Sequence, residues 1–148
     1  MKNASKRYIQ WIAVLALCGV LLSVYSLLHK EGFTAGAFCN LNETFNCDVV
    51  NQGPYSEIFG IPVAVMGIIG YFFLLVATLL KMKHPEDQGT SLFLLLASLG
   101  GFGFALYLSG IEAFVLQTWC LVCLTSQGVI TISAVLSVLN YRLEKMYD

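Results

Sequence analysis

Long apolar runs broken by short polar stretches set the pattern of this chain. Residues 9–28, 61–80, 91–111 and 119–141 contain no Asp, Glu, Lys or Arg. A helix needs roughly 20 mostly apolar residues to cross a bilayer, and each run has that length. A soluble bundle helix carries a charged outer face, and none of these does. All the formal charges, eight basic and nine acidic, lie outside the four runs. The cost of a charge at the bilayer centre demands that partition. The pattern therefore predicts an all-α integral membrane protein. It is a four-transmembrane-helix bundle with a long outer loop, 29–60, between helices one and two.

Composition agrees. Of 148 residues, 57% are hydrophobic and 11% charged, against about 25% charged in soluble domains. Four spans use nearly all the apolar residues, so one membrane domain over 1–148 is expected. A net charge of −1 without a basic run gives no reason to expect nucleic acid. The first run follows Lys2, Lys6 and Arg7 but exceeds the roughly 7–15 apolar residues of a signal peptide. No A-x-A site follows it, and bulky Phe38 before Cys39 gives no lipobox. It reads as a retained helix.

Basic residues predict sidedness. Lys2, Lys6, Arg7, Lys81, Lys83, Arg142 and Lys145 fall on one side, and only Lys30 on the other. Both termini are expected in the cytoplasm, with 29–60 and 112–118 outside. Ala97, Gly101, Ala105 and Ser109 recur every four residues and predict a packing seam. Gly67 and Gly70 are expected to serve helix two similarly.

The outer loop is too long for a plain connection. It is rich in polar residues and ends in Pro54-Tyr55-Ser56-Glu57-Ile58-Phe59-Gly60-Ile61-Pro62. Ser56–Phe59 is expected to form a short amphipathic turn at the interface, and Pro62 suits the first turn of the next helix. Asn42-Glu43-Thr44 matches a glycosylation acceptor, a triplet common by chance.

Of five cysteines, Cys18 is mid-span and reads as a small buried hydrophobe. The other four map to the outer side, where oxidising conditions favour thiol chemistry. Cys39 and Cys47 lie in the loop, and Cys120 and Cys123 open helix four. A C-x-x-C in a first helical turn puts both thiols on one face, near unpaired N–H groups that favour a thiolate. Thr118 is the better capping type beside Gln117. Four cysteines allow three pairings. Structural bridges pinning the loop to the bundle are one reading. A four-thiolate zinc site is another, but the eight-residue spacing of Cys39 and Cys47 suits zinc poorly, and no metal is expected.

Cys47-Asp48-x-Val50, Gly60-Ile61-Pro62, Gly67-x-x-Gly70-Tyr71 and Trp119-Cys120-x-x-Cys123-Leu124 together resemble the vitamin K epoxide reductase family. With the four spans and Cys39, the likeness covers nearly the whole chain and looks closest to the stand-alone bacterial branch. It implies a bundle enclosing a quinone (ubiquinone or menaquinone) near the outer surface of a bacterial inner (plasma) membrane. Cys123 would pass electrons to the quinone, Cys120 would pair with Cys123 and exchange with Cys47, and Cys39 would pair with Cys47. Two mobile loop cysteines would carry electrons from a separate thioredoxin-fold thiol oxidase with its own C-x-x-C. The outcome would be disulfide formation in exported proteins. Tyr55, Ile58 and Phe59 would form a lid, and Gln127 could donate a hydrogen bond to a quinone oxygen.

Three positions depart from relatives. Gly53 stands where many carry Ser, Gln127 where animal members carry Tyr, and Val63 near where they use Asn. These departures speak against epoxide reduction as the main activity. It remains an alternative, beside a structural four-span protein whose bridges hold the loop.

Overall fold

The computed structural model describes residues 2–34 and 39–147. Phe38 and the rest of 35–38 in the outer loop, with both chain ends, lie outside the described residues. The long helices are α1 (Lys2–Lys30), α3 (Val63–Lys83), α4 (Gln88–Ile111) and α5 (Leu121–Tyr147), and a short α2 (Cys47–Gln52) sits in the outer loop. Four spans, Asn3–Lys30, Val63–Lys83, Gln88–Leu116 and Leu121–Tyr147, are long and apolar enough to cross a membrane. The chain is thus a multi-pass membrane protein. Each helix runs past its charge-free stretch at one end or both, and α3 and α5 begin two residues inside theirs.

The helices form a ring in which α1 packs on α3 and α5, and α4 on α5 and α3. Ile9, Ala16, Tyr71, Leu74, Ala77, Leu94 and Ile130 form the buried core. Trp11, Leu21, Phe72, Leu96 and Val135 point outward, as lipid-facing positions should. Close approach is bought with small residues. A Cβ on Gly19 would overlap the Tyr71 ring, one on Gly67 would reach Ser23, and one on Gly101 would press on Ile130. Gly101 thus packs in the expected seam. Gly70 does not, because a Cβ there meets nothing within 4 Å and the residue lines a cavity.

The ends of the bundle differ. At one, Ser5 donates to Asn140, Asn140 to Glu144, and buried Lys81 pairs with Glu144 at 3.1 Å and donates to the Asp87 carbonyl. Asp87 caps α4 by accepting from Gly89 N and the Thr90 hydroxyl. At the other end the last turn of α1 holds the outer loop. Ser26 donates to Asn51 at 3.0 Å, His29 Nε2 lies 2.7 Å from Asp48 Oδ1, and Lys30 Nζ meets Ser56 and Glu57 at 3.0 and 2.7 Å. The His29 contact is a close polar contact rather than an aligned hydrogen bond.

Three local expectations are corrected. Ser56–Phe59 does not form one amphipathic turn by itself. A 3-10 turn at Pro54–Ser56 leads into a hairpin pairing Glu57–Ile58 with Ile61–Pro62. Phe59 and Gly60 both take positive φ, 53° and 77°, the conformation of a two-residue hairpin turn that glycine favours. Pro62 precedes α3 as its cap residue rather than lying in its first turn. Cys18 is exposed on the bundle surface, not buried.

Candidate functional site

The loop builds the site on side-chain amides. Asn42 Oδ1 accepts from Thr44 N and Phe45 N, so the side chain of the possible glycosylation acceptor is engaged in a turn. Asn46 caps α2 by accepting from Asp48 N at 3.0 Å, and Asn40 Oδ1 accepts from Cys47 N at 3.0 Å. Asn46 N donates to the Trp119 carbonyl and Trp119 N to the Thr44 carbonyl. The strand-like contact of Phe45 with Trp119 pins the cysteine loop to the approach of α5.

Cys39 and Cys47 form a disulfide, with Cα atoms 5.5 Å apart. Cys120 and Cys123 are free thiols. Cys47 Sγ lies 3.1 Å from Cys120 Sγ, and Cys39, Cys47 and Cys120 are all buried. The loop pair therefore already lies against the membrane pair in this structure. The sulfurs of Cys39, Cys47 and Cys120 fall within 4.8 Å of one another. Two of them are bridged, and the thiolate rather than the disulfide is the metal ligand.

Cys120 sits just before α5. Its carbonyl accepts from Leu124 N at 2.9 Å and its sulfur from Cys123 N at 3.4 Å. The cap is thus Cys120 itself, and Thr118 Oγ1 instead donates to the Leu116 carbonyl. The helix starts two residues later than expected, which makes the capping position a cysteine. A hydrogen bond with the Cys123 side chain holds the Cys120 thiol below its usual range, with burial opposing. Cys120 is accordingly the group suited to exist as a thiolate beside the loop disulfide.

Cys123 faces inward. It lines a cavity of about 600 Å³ with Tyr55, Tyr71, Phe104, Leu108 and Glu112, within the roughly 300–1,000 Å³ of small-molecule sites. Gly70 and Gly100 also line it, and a Cβ on either would meet nothing within 4 Å. These walls suit a flat apolar molecule. Of the three side chains expected to touch a quinone, Tyr55 lines the cavity. Phe59 stands fully exposed because its hairpin turn projects it outward. Gln127 is held by the Ser109 hydroxyl one turn beyond Cys123 and is absent from the cavity wall.

Sequence reasoning missed Glu112, Ser26 and His29. Beyond Ile111, α4 widens into a π-helical turn, Glu112–Leu116, closed by Gln117 in the left-handed region. That turn directs Glu112 inward, where its carboxylate accepts from Cys120 N at 3.2 Å. A lone acid directly after an apolar run was the available signal. For the other two it was polar residues in the last turn of α1.

Four membrane-length helices that hold a loop disulfide against a second, cavity-facing cysteine pair define a membrane-embedded thiol–disulfide redox protein. Comparison with known proteins narrows that class. Residues 10–138 match the family model described as the vitamin K epoxide reductase family, and the chain belongs to that family. It is 30% identical over 131 residues to the rat (Rattus norvegicus) protein named vitamin K epoxide reductase complex subunit 1, covering 78% of this chain and 80% of that one.

Proposed function

We propose that this protein moves electron pairs from the Cys39/Cys47 pair through Cys120 and Cys123 to a quinone-class molecule in the cavity. One observation carries the reading: Cys47 Sγ stands 3.1 Å from Cys120 Sγ, while Cys123, three residues on, opens onto apolar space. A quinone-class molecule bound there supplies a two-electron, two-proton sink. The chain's own residues do the rest. A thiolate from a reduced dithiol partner attacks the loop disulfide and forms a mixed disulfide; the partner's second thiol resolves it, leaving the partner bridged and Cys39 and Cys47 as thiols. With the membrane pair oxidised, Cys47 thiolate attacks Cys120, which forms the Cys47–Cys120 bond and frees Cys123. Cys39 thiolate then attacks Cys47 and releases Cys120. The result is a bridged loop pair and two free membrane thiols, the arrangement in this structure. Asn40 and Asn46 fix Cys47, and Trp119 aligns the two segments.

The name of the rat relative favours epoxide reduction over the sequence-based expectation of ubiquinone or menaquinone reduction in support of exported-protein disulfides. The epoxide of a quinone is therefore the first acceptor to test. The oxidative reading keeps a thioredoxin-fold thiol oxidase as partner, bacterial inner membrane as location, and the redox cysteines outside. The basic residues at the opposite end of the bundle, Lys6, Arg7, Lys81, Lys83, Arg142 and Lys145, support that sidedness. A single domain over 1–148 fits both. Purely structural bridging is less well supported, since Cys39–Cys47 closes a loop within itself and ties nothing to the bundle.

The test supplies reduced protein in lipid with vitamin K epoxide, menaquinone or ubiquinone, and follows product by chromatography. Wild type should convert at least one acceptor, and the one it prefers separates the two readings. Cys123→Ala should abolish conversion. Undiminished turnover by Cys123→Ala would remove Cys123 from the path.

A further inference from the structure

A carboxyl group sits at this site with no part in the relay. Glu112 is 3% exposed, and its carboxylate bonds the amide that opens α5, Cys120 N, at 3.2 Å. It shares the cavity wall with Cys123, which lies three residues along the chain from the amide it holds. Among the described residues lining that cavity, Glu112 is the only acid; the other titratable ones are Lys30, Tyr55, Tyr71 and Cys123. Lys30 is turned to Ser56 and Glu57, and the Tyr71 hydroxyl donates to the Ser126 carbonyl. From α2, Asp48 is turned to His29 and Asn40. The other charged and titratable groups near Glu112 are thus engaged elsewhere, apart from Cys120, Cys123 and Tyr55.

A buried carboxylate is costly without partners. Holding the Cys120 amide accounts for one lone pair, and a glutamine oxygen would serve there equally. Taking a proton is what only the carboxylate can do. We propose that Glu112 is the proton acceptor for the Cys123 thiol. This rests on the relay above and adds the proton's path to it.

Closing the Cys120–Cys123 bridge forms one S–S bond and delivers two electrons to the quinone-class acceptor. Cys120 leaves the preceding exchange as a thiolate, the corresponding proton having gone to water from a loop thiol. Cys123, freed as a thiolate when Cys47 attacked, has taken up the other loop thiol's proton. Glu112 takes that proton as the S–H bond breaks and passes it to the acceptor in the shared cavity. Water supplies the acceptor's second proton.

The experiment needs no quinone. Reduced Cys120→Ser protein, which lacks the neighbouring thiol that also bonds Cys123, and Cys120→Ser/Glu112→Gln, both reconstituted in lipid, are treated with N-ethylmaleimide over a range of pH. Alkylation at Cys123 is timed by peptide mass spectrometry. A thiol and a carboxyl sharing one proton titrate as a pair in two macroscopic steps, so Cys123 reactivity in Cys120→Ser should rise twice. With Glu112→Gln added it should rise once, with reactivity below that step lower by about tenfold or more, an effect of the size positioned proton acceptors provide. A two-step rise retained without Glu112 would overturn the proposal. So would a single step in Cys120→Ser, which decides the matter even if the double variant fails to insert. With a competent acceptor, Glu112→Gln should lower kcat about a hundredfold and leave KM unchanged. If no quinone-class acceptor is turned over, the relay reading fails, while the alkylation profile still tests the proton transfer.

Discussion

Cys120 stands between two sulfurs, one in the loop disulfide and one in its own C-x-x-C. Its thiol is held low chiefly by the hydrogen bond with Cys123, which stabilises the thiolate. Wild-type Cys120 should therefore begin to react as a thiolate at a pH below the ordinary thiol range. Removing the bond in Cys123→Ala should move that onset to higher pH, read by alkylation mapped to Cys120. An unmoved onset would assign the effect to some other group. Gly53, the departure from the usual serine, also has a local cause. A Cβ there would stand 2.5 Å from the Val49 carbonyl oxygen, so Gly53→Ser must displace the last turn of α2. Overpacking of this kind costs about 1–3 kcal/mol, and the melting temperature should fall accordingly; unchanged melting would mean the turn yields freely. That Cys39, Cys47, Cys120 and Cys123 gather at one end of the bundle was legible because C-x-x-C and a loop pair are compact sequence signals. Phe59 and Gln127 were not placed correctly at the cavity. A hairpin turn at Phe59-Gly60 and the Ser109 partner of Gln127 depend on backbone geometry and a neighbouring helix, which spacing along one chain does not carry.

At the scale of elements, α2 is a six-residue helix too short to persist alone. It is held by α1 through Ser26–Asn51 and His29–Asp48, and by its Asn46 cap. His29→Ala should speed amide hydrogen exchange across 47–52 and leave the core of α3 and α5 protected, since His29 touches only the loop end of the bundle. Equal loosening of all helices would show that the contact supports the bundle instead. The π-helical end of α4 does the complementary work on the other side, aiming Glu112 at Cys120; such turns are frequent at functional sites. The four spans were readable from charge-free length alone. The π turn was not, because an extra residue in one turn leaves the hydrophobic pattern almost unchanged.

Across the whole molecule, the charged residues are sorted to two ends. One end, with Ser5, Lys81, Asn140 and Glu144, ties α1, α3 and α5 together. The other carries the cysteines, their loop and the cavity mouth. The membrane part thus acts as a rigid frame that presents Cys123 to an apolar space while the loop holds a disulfide against Cys120. The central claim is that Cys47 and Cys120 exchange directly. The most direct measurement removes their outer partners in a Cys39→Ser/Cys123→Ser variant, oxidises it in lipid, and identifies the bridged peptides under non-reducing conditions by mass spectrometry. A Cys47–Cys120 disulfide as the dominant species is the predicted result. Oxidised protein in which Cys47 and Cys120 remain unbridged to each other would contradict the relay.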